Sequence, residues 1–180
     1  LCTIDILDQV IASGVDVLKI EGRTKGPDYV QVVTGCYREA IQSIHDHSYT
    51  SEKIEVWKEA MGSVYNRGFW EGYYLGRPMG EWTPKSGSVA TEKKIYLGKG
   101  TRYYPRIGVG EFQIETGNLR AGDTLLITGP KCGMVKEQLN ELYVNGKKKQ
   151  EARKGDLVTF PFATKVTQHD KLYKIVSNDA

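Results

Sequence analysis

Gly117-Asn118-Leu119-Arg120-Ala121-Gly122-Asp123-Thr124-Leu125-Leu126-Ile127-Thr128 decides how the second half of the chain is read. Two turn signals, Gly117-Asn118 and Ala121-Gly122-Asp123, bracket a short run, and Thr124–Thr128 then reads as a strand. Working outward, the apolar period is two from residue 91 to the C-terminus. Strands are expected at Lys94–Leu97, Tyr103–Val109, Glu111–Glu115, Thr124–Thr128, Met134–Leu139, Glu141–Val144, Leu157–Phe160 and Leu172–Ile175. Gly129-Pro130, Asn145-Gly146 and Lys154-Gly155-Asp156 supply further turns. Asn145-Gly146, between Tyr143-Val144 and a basic run, is a hairpin signal because both residues tolerate positive φ. Short strands at this spacing predict a small β-barrel over 91–180.

The first half has a different period. Ile4, Ile6, Leu7, Val10 and Ile11 recur at helical spacing, with Gly14 as the stop. Val15-Asp16-Val17-Leu18-Lys19-Ile20 alternates and reads as a strand. A polar loop, Glu21 to Gly26, leads to Pro27 in the first turn of a helix with Tyr29, Val30, Val33, Tyr37, Ala40, Ile41 and Ile44 on one face. Ser51 is expected to cap a third helix bearing Ile54, Val56, Trp57, Ala60, Met61 and Val64. One strand cannot make a sheet, so this half is expected to be the βα remnant of a larger (β/α), TIM-like barrel. The fold class is therefore an α+β fragment: a barrel remnant over 1–75, a Gly/Pro/Ser-rich linker over 76–90, and a β-barrel over 91–180.

Composition narrows the function classes. The 180 residues are 39% hydrophobic, 10% aromatic and 26% charged, which excludes a disordered chain and suits one or two soluble domains. No apolar run approaches the ~18 residues of a membrane helix. The opening Leu1-Cys2-Thr3 with Asp5 nearby is not a secretory signal, and the missing initiator Met marks a chain expected to be cut from a longer protein. Three widely spaced cysteines, Cys2, Cys36 and Cys132, argue against a disulfide framework and for the cytoplasm. The net charge of +3 is uneven: residues 1–90 carry 9 Lys/Arg against 12 Asp/Glu, and residues 91–180 carry 16 against 10. The basic half either presents an ordinary solvated surface or meets a polyanion such as RNA.

Three stretches carry a family resemblance. They are Val17-Leu18-Lys19-Ile20-Glu21-Gly22-Arg23-Thr24-Lys25 with Tyr29-Val30 and Tyr37-Arg38-Glu39-Ala40-Ile41; Asn66-Arg67-Gly68-Phe69-Trp70-Glu71-Gly72-Tyr73-Tyr74; and the opening Leu1-Cys2. Over residues 1–78 the chain resembles the later part of peptidase family U32, the collagenase-like proteases. Within that family it is most similar to members that hydroxylate the wobble uridine of tRNA using prephenate. The second half resembles the family's C-terminal β-barrel and the second domain of translation elongation factors, on Gly108-Val109-Gly110, Gly117–Leu125 and Ala152–Val158. The resemblance implies a tRNA-modifying enzyme as the longer protein, with prephenate as co-substrate and tRNA as partner; a true peptidase acting on collagen-like chains is the alternative, and a protein-docking module a third reading. The family's cysteine-rich signature would precede residue 1, so the fragment alone is expected to be inactive.

The site residues follow. Glu21, Arg23 and Lys25 stand just past the end of the expected strand, the rim where (β/α) barrels collect catalytic groups. Arg23 could clamp a carboxylate or a phosphate; the structural alternative is a Glu–Arg pair that fixes the loop. Lys19 is expected in solvent. Lys147, Lys148, Lys149, Arg153 and Lys154, with Lys131 and Lys136 across the barrel, could neutralise RNA phosphates or simply protect an edge strand. Tyr103-Tyr104 and Phe160-Pro161-Phe162, near Arg102 and Arg106, either stack bases or fill the barrel. Trp70, Tyr73 and Tyr74 are expected to pack on the larger barrel, and in the excised piece could join copies into an oligomer. Cys2 reads as a buried thiol; the resemblance makes it one iron–sulfur ligand of the longer protein, and since a cluster takes four, no metal is expected in this chain. Cys36, Cys132, His45, His47 and His169 form no catalytic or metal constellation, and no His-Glu-x-x-His, Gly-x-Ser-x-Gly or Walker sequence occurs.

Overall fold

The computed structural model describes residues 1–76 and 87–178. The chain divides into two compact units, Leu1–Thr91 joined by the C-terminal Asn178, and Glu92–Ser177. The expected linker falls mainly on residues 77–86, outside the described residues.

The first unit is helical. It contains α1 (Leu7–Ala12), α2 (Pro27–His45) and α3 (Ser51–Gly62). Gly14, at φ +88°, follows α1 where a stop was expected. Pro27 opens α2, where its missing N–H costs nothing. The buried stripe of α2 is Val33, Cys36, Ala40 and Ser43, whereas Val30 and Ile41, expected on that face, are exposed. The α3 cap also differs from expectation: Thr50 precedes the helix with an extended backbone, and its hydroxyl accepts from Lys53 N–H at 3.5 Å, so Ser51 is the first helical residue. Ile4, Leu7, Val33, Ala40, Trp57 and Met61 form the core. Trp57 stacks on Tyr49 at 5.9 Å and donates its indole N–H to Glu39 at 3.0 Å, satisfying the one polar group a buried tryptophan carries. The Tyr49 hydroxyl donates to the Ile4 carbonyl, and Lys58 pairs with Asp5 at 3.0 Å, so two side-chain contacts hold the N-terminal segment on the helices.

The strand expected at residues 15–20 is not formed. The segment is irregular, with Leu18 and Ile20 packed on the helical core and Val15 and Val17 exposed, Val17 to 82%. Its alternation is that of a strand, but a ladder needs a neighbour, and among the described residues this unit contains no strand. The unit is therefore a three-helix body, and a TIM-barrel remnant is not established by it.

The second unit is antiparallel sheet. Its strands are β1 (Glu92–Tyr104), β2 (Val109–Ile114), β3 (Asn118–Arg120), β4 (Thr124–Gly129), β5 (Gly133–Gln138), β6 (Leu142–Val144), β7 (Lys147–Lys149), β8 (Glu151–Arg153), β9 (Leu157–Pro161) and β10 (Lys171–Ser177). Eight strands pair in the order β5-β4-β10-β1-β2-β9-β6-β7, and β3 pairs with β8 separately. All ladders are antiparallel. Among the described residues no ladder joins β5 to β7, so the expected closed cylinder has two strand edges. One expected strand was misplaced: Tyr103-Tyr104 end β1, and Pro105–Gly108 form the turn to β2, because Pro105 has no N–H to give a ladder and Gly108 takes φ +62°. The core gathers Leu97, Phe112, Leu125, Ile127, Phe160 and Leu172, with the Phe112 and Phe160 rings parallel at 5.0 Å. Leu119 and Ala152 bring the β3–β8 ladder into the same core.

Candidate functional site

Two groups of residues come from the sequence reading, one on each unit. On the helical unit, Glu21 accepts the Arg23 N–H at 2.7 Å, which folds the loop back on itself. Glu21 and Lys25 line an open groove of about 830 Å³ together with Val15, Val17, Ile20 and Tyr29. Arg23 is exposed and does not line it. The three rim residues therefore do not converge: one stabilises the loop of another, and Lys25 turns toward the aromatic rings. Its Nζ lies 3.5 Å from the Tyr65 ring centroid and 6.0 Å from that of Tyr29, a cation–π arrangement that holds the ammonium without neutralising it. Lys19 is exposed at the groove edge.

Cys2 is buried beside α2. The Tyr37 hydroxyl donates to its Sγ at 3.8 Å and accepts the Thr3 N–H at 2.9 Å. Burial pushes the Tyr37 phenol up to about 12, so it stays protonated and keeps donating. The Cys36 thiol donates to the Trp57 carbonyl, and burial raises its pKa. Burial, then the charge of Asp170, pushes the Cys132 thiol up to about 11. Neither Cys36 nor Cys132 is thus a ready thiolate. His45, His47 and His169 are exposed. Among the described residues no three His, Cys, Asp or Glu side chains form a metal-holding group. An iron–sulfur cluster does not fit these residues alone, because Cys2 would supply one thiolate where four are needed.

On the sheet unit, Asn145 at φ +51° and Gly146 at φ +75° make the β6–β7 turn the sequence predicted. Register then places the lysines. Val144 faces Lys147, Tyr143 faces Lys148 and Leu142 faces Lys149. Lys147 and Lys149 thus share the core-side face of Val144 and Leu142 but lie exposed at the sheet edge. Lys148 points to the other face and pairs with Glu141 at 2.7 Å, which holds that carboxyl below its usual range. Arg120 and Arg153 flank Glu151 at 3.5 and 3.7 Å. The Glu151 carboxyl is lowered first by a hydrogen bond from Asn118 and then by the two arginines. Lys154 is exposed in the next turn. Among the described residues Lys147, Lys149 and Lys154 have no carboxylate partner, so this edge carries uncompensated positive charge. Arg120 escaped sequence reasoning; the signal was the register of two three-residue strands, too short to be recognised. Lys136 pairs with Glu92 at 2.7 Å, while Lys131 is exposed. Phe160 and Phe162 are buried in the core, and the hydroxyls of Tyr103 and Tyr104 bond to Ala163 O and Glu111, so these aromatics mainly fill and brace the sheet. Trp70 packs edge-on against Tyr73 at 4.9 Å, and Tyr74 is exposed.

No helix among the described residues is long and apolar enough to cross a membrane.

Comparison with known proteins places these observations. Residues 1–84 match the model of Peptidase family U32. A protein of Porphyromonas gingivalis (strain ATCC BAA-308 / W83) named "Collagenase" is 45% identical over 172 residues, covering 96% of this chain and 42% of that protein. The "tRNA hydroxylation protein P2" of Bacillus subtilis (strain 168) is 39% identical over 64 residues, 35% of this chain and 21% of that protein. The chain thus spans less than half the length of the curated Porphyromonas gingivalis relatives it matches. Among solved structures, the C-terminal domain of a Geobacillus thermoleovorans putative U32 peptidase aligns with a TM-score of 0.41 and 19% identity, over 43% of this chain and 96% of that one. Residues 1–84 of the chain thus belong to peptidase family U32, and the identity to the Porphyromonas gingivalis protein extends over 96% of the chain.

Proposed function

We propose that this chain is part of a longer U32 protein that 5-hydroxylates the wobble uridine of tRNA, with prephenate as co-substrate, and that its sheet unit grips the RNA. The observation that carries this reading is the basic run through β7, β8 and the turn after β8. There, among the described residues, Lys147, Lys149 and Lys154 lack acidic partners and Arg120 and Arg153 share a single carboxylate. Phosphate contact needs such a cluster on one edge, and its strength comes from counterion release. The relative named for tRNA hydroxylation supports the same reading. In this picture the sheet unit is a translation-factor-like barrel used as an RNA-contact module. The chemistry resides in the remainder of the longer protein, with Glu21, Arg23 and Lys25 at the rim of its (β/α) barrel and Cys2 one ligand of its iron–sulfur cluster. The unpaired segment 15–20, with Val15 and Val17 exposed, is what an interior strand of such a barrel would look like without its neighbours.

A second reading is a collagen-cleaving peptidase, favoured by the 45% identity to a protein named "Collagenase". Among the described residues no hydrogen bond joins a histidine to a Ser, Thr or Cys side chain. The test is complementation. The longer protein, expressed in cells whose tRNA lacks 5-hydroxyuridine, restores that nucleoside as read by mass spectrometry of digested tRNA. Unmodified tRNA together with cleavage of gelatin by the purified protein would overturn the proposal in favour of the second reading.

A further inference from the structure

One short motif occurs twice in the sheet unit. Leu119-Arg120-Ala121-Gly122-Asp123 and Ala152-Arg153-Lys154-Gly155-Asp156 each run from a buried residue through an arginine into an x-Gly-Asp turn. Both fold alike. The aspartate carboxylate accepts the arginine N–H at 2.8 Å, the glycine takes φ +95°, and the aspartate N–H returns to the arginine carbonyl, at 3.1 and 2.9 Å. β3 and β8 pair with Asn118 opposite Arg153, Leu119 opposite Ala152 and Arg120 opposite Glu151, so a local twofold relates the two turns. Leu119 and Ala152 point into the core, which turns Asn118, Arg120, Glu151 and Arg153 to the outer face. The arginines stand on a diagonal of the ladder, where neighbours are about 7–8 Å apart. The twofold is broken by Glu151, whose counterpart is Asn118. Asn118 Nδ2 donates to Glu151 Oε1 at 3.0 Å, while Oε1 lies 3.5 Å from Arg120 and Oε2 3.7 Å from Arg153. The Glu151 side chain is 28% exposed and those of Arg120 and Arg153 62% and 78%. The carboxylate is thus recessed between two guanidinium groups, and most of their five donors each remain turned to solvent. Asp123 and Asp156 are occupied by the turns, and Asp123 also lies 3.5 Å from Lys174.

We propose that Arg120 and Arg153 form a clamp for one backbone phosphate of the RNA, and that Glu151 is the positioning residue that orients both guanidinium groups. The proposal rests on the RNA reading of the sheet unit and gives it a specific contact: the lysines supply charge, and the two arginines supply geometry. Glu151 has two opposing effects on a phosphate seated there. Its charge, about 7 Å away across a guanidinium, repels the phosphate by about threefold in affinity in water, and by less in salt. Its contacts hold two long side chains in place, and ordering each of them on binding would otherwise cost about three- to tenfold. The second effect counts twice and is the larger. An arginine fork grips two phosphate oxygens at once, which a lysine in the same place cannot do.

The test measures tRNA binding by the full 180-residue chain, as fluorescence anisotropy against salt, for wild type, Glu151→Gln and an Arg120→Lys/Arg153→Lys variant. Glu151→Gln removes a negative charge and still accepts from Asn118, yet it is expected to weaken binding about threefold, against the direction of simple electrostatics. The lysine variant keeps every charge, so the slope of log K against log salt stays as in wild type, while affinity falls about tenfold with the loss of the forks. Unaltered circular dichroism spectra and melting points separate lost binding from lost folding. Inorganic phosphate added at constant ionic strength is expected to leave the RNA bound; displacement at millimolar phosphate would make this a site for a free anion and overturn its assignment to RNA. Tighter binding by Glu151→Gln, or full affinity in the lysine variant, would overturn the clamp and leave the RNA reading standing. No tRNA binding by wild type at the lowest salt would remove both.

Discussion

Replacing Gly98 by alanine puts a methyl group of β1 against the backbone of β2. A Cβ there would lie 1.8 Å from the Gln113 carbonyl oxygen, 2.9 Å from its carbon and 3.2 Å from the Glu115 nitrogen. All three are backbone atoms, so no side chain can swing aside. Neither can β1 move away, because Gly98 is paired on both sides, with Ile114 of β2 and Leu172 of β10. Relief must come from parting β1 and β2, which strains the Leu97 carbonyl that accepts from Glu115 N at 2.7 Å and Thr116 N at 3.1 Å. Two such bonds contribute about 1 kcal/mol each, and overpacking adds about 1–3 kcal/mol. A cost near 3 kcal/mol lowers the melting point of a unit this size by about 12–24 °C, at roughly 4–8 °C per kcal/mol. The control is Gly146→Ala, where φ is +75° and nothing lies within 4 Å, so only the left-handed backbone is penalised, by about 1 kcal/mol. Thermal melts followed by circular dichroism should therefore rank wild type above Gly146→Ala, and that variant well above Gly98→Ala. A Gly98→Ala protein melting at or above the Gly146→Ala protein would refute the packing argument.

Further outcomes follow from the same geometry. Phe160→Ala removes one of two parallel buried rings and should cost about 3–5 kcal/mol, read as a lowered urea midpoint; a loss under about 1 kcal/mol would mean the core is not centred there. Thr50→Ala should destabilise by about 1 kcal/mol and Ser51→Ala by much less, and the reverse order in chemical denaturation would return the cap to Ser51. Burial, then the hydrogen bond to Glu115, pushes the Tyr96 phenol up to about 12. A raised phenol favours the folded state fully below its ordinary value of 10 and loses that contribution as pH rises toward 12. Tyr96→Phe should therefore lose less stability than wild type between pH 10 and 12, and parallel pH profiles would contradict this.

The sheet unit was legible where turn chemistry and alternation agreed. Asn145-Gly146 named its own turn, and the strand expected at Glu111–Glu115 is found as Val109–Ile114, with every second residue buried. The misses have physical causes. β3 and β8 are three residues each and owe their existence to each other's hydrogen bonds, which no local period reports. β7 is three consecutive lysines, poor strand formers held in place by their pairing with β6. In the helical unit the opposite occurred. Val15–Ile20 has a strand's alternation, but pairing is a property of two segments, and among the described residues the helical unit contains no second one. Of the site residues, the lysine edge was readable because charge runs are visible in sequence. The seat of Lys25 over the Tyr65 ring was not, since it depends on how the loop before α2 meets the turn after α3.

The most direct measurement of the central claim is the salt dependence of tRNA binding by the full chain, compared with a Lys147→Glu/Lys149→Glu variant. Each lost phosphate contact removes about 0.7–0.9 from the slope of log K against log salt. Fluorescence anisotropy over about 50–200 mM salt should show steeply falling affinity for wild type, and for the variant weaker binding with a slope shallower by about 1.5. Identical slopes and affinities for the two proteins, or no binding of tRNA at the lowest salt, would contradict the assignment of this edge to RNA.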